Sequence, residues 1–263
     1  KGNIRIASNK KVSEFIKGLK KEKFISIDRR AKNLIFKLSN NKIILAHLKM
    51  SGQFVYQESK SSKKIIGGHP IEISEKTLPN KHSHIIFELE RGTLYYNDTR
   101  MFGYVLYYKN IKILEDDGHF IKLGKEPLDK NFTIKYFAES LKNKKTKIKS
   151  VLLSQEIVVG VGNIYADESL FEAGINPTHS ADSLTLNEVR KLHKAIIRII
   201  EHAIEMGGSS VATYRLLDNT RGNYAREHKV YGKGGQKCTK CKTLLKKILI
   251  QARTTVFCYN CQK

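Results

Sequence analysis

The chain has 263 residues, 40% of them hydrophobic, enough for one large or two ordinary domains with a real core. No apolar run is long enough to span a membrane, and the opening "KGNIRIASNK" lacks a signal-peptide block, so a cytoplasmic, soluble protein is the default expectation. Lys and Arg number 48 against 25 Asp and Glu, a balance of +23 that costs self-repulsion unless a polyanion offsets it. Nucleic acid is the leading candidate partner, because phosphate neutralisation releases counterions, although drift toward Lys, Ile and Asn could also inflate the charge.

In chain order, Val12 to Leu19 reads as a short helix. Short β-branched or aromatic runs bounded by turns follow: Phe24 to Ile27, Leu34 to Leu38, Ile43 to Met50, His84 to Leu89, Thr93 to Asn97 and Tyr104 to Tyr108. "SNNK" at 39–42 is a hairpin signal, and the lysine-rich stretch 58–81 reads as a surface loop or insertion. From about residue 130 the period lengthens, with helices over Thr133 to Leu141, Thr146 to Leu153 and Asn163 to Ala173. The clearest helix covers 186–206, where Val189, Leu192, Ile196, Ile199, Ala203 and Met206 step by three or four. Thr185 and Glu188 form a capping box ahead of it, and Gly207-Gly208 ends it. A polar stretch, 213–227, separates it from a terminal segment with strands near 247–250 and 254–258. No internal repeat is present. The layout is β-rich, then helical, with the change near "LGKEPLDKN".

All four cysteines lie in the terminal segment, as Cys238-x2-Cys241 and Cys258-x2-Cys261. Two CxxC pairs at this separation fit a tetrahedral Zn2+ site, and four thiolates leave no open position for catalysis. Two disulfides are the alternative, disfavoured in a reducing compartment.

The stretch "GVGNIYADESLF" puts Gly160, Gly162 and Asn163 directly ahead of a helix. A glycine-opened helix N-terminus admits an anion, though a tight turn before a capped helix would look the same. Lys142, Lys144, Lys145, Lys147 and Lys149 crowd the start of the preceding helix. A lysine cluster beside an anion-accepting turn favours a phosphate site over the bland turn.

"LLSQEIVVGVGNIYADESLFEAGINP" (152–177), "GGSS" and the terminal cysteine pairs closely resemble bacterial formamidopyrimidine-DNA glycosylase, which repairs oxidised bases. The likeness extends through "RRAKNLIFKL" (29–38), "HLKMSG" (47–52), "DTRMFG" (98–103) and "QARTTVFCYNCQK", over nearly the whole chain. The resemblance implies an α+β multidomain fold. A β-sandwich, truncated at its start, would occupy 1–122, a helix–two-turns–helix domain 123–227 and a four-cysteine zinc finger 228–263.

It also implies roles. Lys32 matches the lysine that contacts phosphate near the lesion and takes part in elimination, and Arg253 the arginine that grips phosphates beside the damaged nucleotide. Asn163 holds the place of the phosphate-binding Asn, and His82, Lys144 and Lys149 look like further DNA contacts. Met50, Arg100 and Phe102 look like the triad that fills the hole left by an everted base. Glu168 resembles a glutamate near the lesion pocket, and 215–226 resembles the loop that covers the everted base.

The family's nucleophile is an N-terminal proline followed by glutamate, and "KGNIRIASNK" matches neither. A fragment or mis-started sequence is the favoured expectation, ahead of a natural non-catalytic lesion binder and of attack by the Lys1 amine. The resemblance therefore implies a bifunctional glycosylase and abasic-site lyase for oxidised purines. It would be a monomer, acting on damaged double-stranded DNA at the nucleoid, with one structural zinc. A damaged- or abasic-DNA-binding protein without chemistry is the first alternative, and an endonuclease VIII-like preference for oxidised pyrimidines is the second.

Overall fold

The structure, a computed structural model, describes residues 9–59, 64–68, 77–209 and 222–263. Two compact units divide the chain near His119.

In the first unit, α1 (Val12–Leu19) precedes eight strands: β1 (Phe24–Arg30), β2 (Asn33–Leu38), β3 (Ile43–His47), β4 (Gly52–Glu58), β5 (Lys64–Gly68), β6 (Ser83–Leu89), β7 (Gly92–Asp98) and β8 (Tyr104–Tyr108). They form two four-stranded sheets, ordered β1-β2-β3-β8 and β5-β4-β7-β6, antiparallel throughout. Side chains alternate across a pleated strand, so pairing in register gathers the apolar set onto one face. Phe36 pairs with Ile44 and Ile44 with Tyr107, and all three are buried. From the other sheet come Ile85, Tyr96 and the half-buried Phe54, whose ring stands edge-on to Phe36 at 5.3 Å. Phe15 of α1 joins this core. The unit is thus a β-sandwich, as the resemblance implies.

Three expectations need correction. The third strand stops at His47 rather than Met50, because the chain turns over 48–51, with Gly52 N–H donating to the Leu48 carbonyl at 2.8 Å. The strand after that turn, β4, carries no strong alternation and is not among the predicted runs. The stretch 58–81 is not all loop, since β5 extends the second sheet from within it. Residues 60–63 and 69–76 of that stretch lie outside the described residues.

After the short helix α2 (Ile111–Asp116), the second unit holds α3 (Ile134–Leu141), α4 (Ile148–Leu153), α5 (Asn163–Ala173) and α6 (Leu186–Glu205), then the hairpin β9 (Lys246–Ile250) and β10 (Arg253–Phe257). Phe137 and Leu141, Ile148 and Leu152, Ala166 and Leu170, and Val189, Leu192 and Ile196 meet in one buried cluster. The capping box at Thr185 and Glu188 is present with both of its hydrogen bonds. Gly174 closes α5 at φ +74, a left-handed turn that suits glycine. The terminal segment that includes the hairpin packs on Phe171 of α5 through Val230, Leu245 and Val256, so helices and cysteine segment share one body. No helix among the described residues is long and apolar enough to cross a membrane.

Candidate nucleic-acid interface and cysteine cluster

In the first unit, one buried carboxylate organises one end of the sandwich. Asp98 closes β7, and its Oδ2 accepts from Gly103 N–H at 2.8 Å. Its Oδ1 accepts from Arg100 N–H at 3.1 Å and from the Ser51 hydroxyl. Ser51 Oγ in turn accepts from Arg100 N–H at 3.2 Å. The turn 99–103 is therefore stitched to the turn that carries Met50. Gly103 is required here: a Cβ would meet the Tyr96 hydroxyl at 2.0 Å and the His47 carbonyl at 2.8 Å. The backbone N–H of Asp98 donates to the His82 carbonyl at 3.1 Å, bringing His82 beside this turn.

Met50 and Phe102 are each 58% exposed, although composition alone would read both as core. Arg100 is also exposed, and its guanidinium lies 4.7 Å from the Phe102 ring centroid. Two large apolar side chains and a guanidinium thus project from neighbouring turns whose backbones are fixed from beneath.

Lys32 sits exposed in the two-residue turn between β1 and β2. Close by is a residue that sequence reasoning missed. His47 ends β3, and its Nδ1 accepts from Lys49 N–H at 3.0 Å, which fixes the ring. Burial, with Lys49 and Lys32 nearby, pushes the imidazole down to about 4. His47 is therefore neutral at pH 7 and offers Nε2–H as an uncharged donor among two lysines. Its place three residues before Met50 in "HLKMSG" is the only sequence signal. His82 is lowered too, by burial first and Lys81 second.

In the second unit, Asn163 opens α5 and no side chain caps that end. Its Nδ2 donates to the Thr254 carbonyl at 2.9 Å, which ties the helix start to β10. The preceding loop is braced by Gln155, which accepts from Gly160 N–H at 2.8 Å and donates to the Val161 carbonyl at 2.7 Å. Arg253 follows a two-residue hairpin turn in which Gln251 and Ala252 take φ +48 and +56, and its side chain is exposed.

Lys149 is not a surface contact. Its side chain is fully buried and pairs with Asp167 at 2.6 Å. It also donates to Thr255 Oγ1 at 2.8 Å and to the Thr254 carbonyl at 3.2 Å. Burial lowers Lys149 and raises the Asp167 carboxyl to about 6. Lys142, Lys144, Lys145 and Lys147 are exposed, with Lys144 3.7 Å from Glu156. Glu168 is likewise buried. It accepts from the backbone N–H groups of Lys229, Val230 and Tyr231 at 2.8–3.0 Å, which anchors the chain leading into the cysteine segment. Of the covering loop expected over 215–226, residues 215–221 lie outside the described residues.

The four cysteines are unpaired thiols that converge, with all four Sγ atoms within 4.8 Å of one another. Cys238 lies 3.9 Å from Cys261 and Cys241 lies 3.4 Å from Cys258. Tetrahedral ligation at about 2.3 Å sets sulfurs roughly 3.8 Å apart, so the donor set fits one metal ion. Hydrogen bonds from Thr243, then Asn260, hold the Cys241 thiol down to about 5.

Residues 3–105 match the N-terminal domain of formamidopyrimidine-DNA glycosylase, and 123–215 match its H2TH domain. The chain is 36% identical to the formamidopyrimidine-DNA glycosylase of Desulfitobacterium hafniense, over 99% of this chain and 88% of that one. It is 40% identical to that of Brevibacillus brevis, over 90% of this chain and 80% of that one. Among solved structures, the Lactococcus lactis enzyme in complex with DNA containing an abasic site superposes with a TM-score of 0.83 at 34% identity, covering 98% of this chain and 89% of that one. A variant of the same enzyme with DNA containing a formamidopyrimidine lesion gives 0.84 over the same shares. Identity at this level over nearly the full chain, matching both the sandwich and the helical unit, means that the chain belongs to the formamidopyrimidine-DNA glycosylase family.

Proposed function

We propose that this chain is a base-excision-repair DNA glycosylase that removes oxidised purines from duplex DNA and cleaves the strand at the resulting abasic site. Family membership across both units supports an enzyme over a pure binding module. The observation that carries the reading is the exposure of Met50, Arg100 and Phe102 on turns whose backbones are pinned by Asp98. Everting a base leaves a hole in the stack, which apolar wedges and a guanidinium can fill. The test is release of base from a duplex carrying one 8-oxoguanine, using the protein expressed from its own start codon. Free 8-oxoguanine with a borohydride-trapped covalent complex is expected. Intact binding with no base released would contradict it.

Roles follow from the geometry of each unit. Lys32, His47 and His82 serve as phosphate donors, with Lys32 also moving protons in the elimination. In the second unit, Asn163, tied to the Thr254 carbonyl, and Arg253, the residue before Thr254, act on phosphate, and Lys144 adds charge. Lys149 and Glu168 support this surface from below without touching DNA. Zn2+ at Cys238, Cys241, Cys258 and Cys261 would be structural, because four thiolates complete its coordination.

Three results are expected. Arg253→Ala should weaken binding across all sequences and flatten the dependence of log K on log salt by about one unit; an unchanged slope removes Arg253 from the phosphate contacts. Phe102→Ala should change stability by no more than about 0.5 kcal/mol, as at an exposed position, while narrowing discrimination between damaged and intact duplex. A large loss of stability would return Phe102 to the core. His47 should titrate at about 4 in the free chain by NMR, against 6.5 for an ordinary histidine. Because its folded value is depressed, the stability it contributes is present above 6.5 and is lost as pH falls through about 4. Titration near 6.5 would contradict the buried, neutral assignment.

A further inference from the structure

The outer face of the first sheet ends, beside the Met50 turn, in a polar row. Phe36, Ile44 and Tyr107 face the other sheet, so their neighbours along each strand face away from it. On that outer face Ile35 pairs with Leu45 and Leu45 with Leu106, all three buried. Two residues further along each strand stand Asn33, His47 and Tyr104. His47 is the register partner of Tyr104, and their rings lie 5.6 Å apart. A buried apolar row thus fixes the backbone beneath the polar one.

Tyr104 reaches across this row. Its hydroxyl donates to Asn33 Oδ1 at 2.8 Å. β3 lies between β2 and β8, so no ladder hydrogen bond joins their two strands and only these side chains do. Asn33 is 7% exposed, and its Nδ2 donates in turn to the Arg30 carbonyl at 3.4 Å. Arg30 and Asn33 are the register pair that brackets the turn Ala31-Lys32. The Asn33 amide therefore spans the turn, and Tyr104 holds that amide from β8. Ala31 takes φ +54, a left-handed conformation that a residue with a Cβ keeps only where its surroundings hold it. Arg29 Nη1 adds a bond to the Ala31 carbonyl at 2.9 Å.

The turn's other residue is Lys32, whose side chain is exposed. A lysine stem is flexible, so what the fold can preset is the backbone it leaves from. That matters most for a group that has to meet a phosphate and move a proton, because a small displacement of a reacting group is costly in rate. A phenylalanine ring would pack beside His47 and His119 as the Tyr104 ring does, so packing accounts for the ring and leaves the hydroxyl to be explained. We propose that Tyr104 is a positioning residue for Lys32: its hydroxyl, through Asn33, sets the turn from which Lys32 reaches the DNA. The assignment rests on the reading of Lys32 as the lysine of the elimination step.

The test is single-turnover cleavage of a duplex carrying one preformed abasic site, by the protein expressed from its own start codon, with Tyr104→Phe, Lys32→Ala and the two combined. Tyr104→Phe should lower the saturating rate by about tenfold and leave the half-saturating protein concentration within about twofold of the parent's. Lys32→Ala should lower that rate by about a hundredfold or more, and adding Tyr104→Phe to it should change the rate by less than about twofold. Without DNA, the amide NMR signals of Ala31 and Lys32 should move in Tyr104→Phe while those of the buried Leu45 and Leu106 stay in place. Parent-like cleavage by Tyr104→Phe, or unmoved Ala31 and Lys32 signals, overturns the positioning role and leaves that of Lys32 standing. Effects that multiply in the combined variant also overturn it, by routing Tyr104 through His47. Parent-like cleavage by Lys32→Ala removes Lys32 from the elimination and overturns both.

Discussion

Asp167→Ala should destabilise the second unit by about 3–5 kcal/mol, because it leaves the buried Lys149 ammonium without its counter-charge. The carboxylate also accepts from Val256 N–H at 3.1 Å, so its removal strands a donor in β10. The charge is the larger loss. Lys149 keeps only the Thr255 hydroxyl and the Thr254 carbonyl, neutral acceptors that do not offset a buried cation. Replacing both partners, Lys149→Met with Asp167→Leu, should recover all but about 1–3 kcal/mol, the share of the unpaired Val256 N–H. Urea unfolding of the two variants beside the parent reads this directly. A single variant within about 1 kcal/mol of the parent would mean that water reaches the pair. The pair matters to DNA because Lys149 and Asn163 share the Thr254 carbonyl, next to Arg253, and loosening one loosens the arginine's base.

The second large effect is expected at the cysteines. Cys238→Ser should abolish metal binding and melt the β9–β10 hairpin, because structural zinc contributes about 10–16 kcal/mol of apparent binding free energy to small sites of this kind. Cys238 and Cys258 are also core residues, packed with Phe171, Val230, Leu245 and Val256. The separate cluster built on Phe137, Leu152 and Ile196 should keep the helices folded. Metal analysis should fall from one ion per chain to none, with hairpin amide signals lost and helical ones retained. One ion per chain in the variant would contradict four-thiolate ligation.

Periodicity made the helices legible. The steps from Val189 to Ala203 describe the face of α6 that is buried, and the capping box set its start. The sandwich strands were legible wherever β-branched and aromatic residues clustered. β4 and β5 were not, because glycine and lysine dominate their ends and only pairing with β7 and with each other makes them strands. The cysteine spacing carried the convergence of the four thiols, since CxxC turns leave few other geometries.

Burial of single charges was the hard part. Lys149 sits in a lysine run, and nothing local distinguishes it from Lys147. Its partner, Asp167, lies on another helix, so the pair exists only after folding. The anchoring of Glu168 was hidden for the same reason: three backbone donors of a distant segment claim it. The reverse happened at Met50 and Phe102. Their apolar character reads as core, and only the family resemblance put them at the surface, where the structure has them.

The most direct measurement is the affinity of this chain for a duplex carrying one stable abasic-site analogue, competed against the same duplex undamaged, by fluorescence anisotropy at fixed salt. Recognition through Met50, Arg100 and Phe102 should give tighter binding to the lesion by roughly a hundredfold, falling toward equality in the triple alanine variant. Equal affinity for both duplexes in the parent chain would reduce this surface to a basic, non-specific DNA contact and contradict the reading of damage.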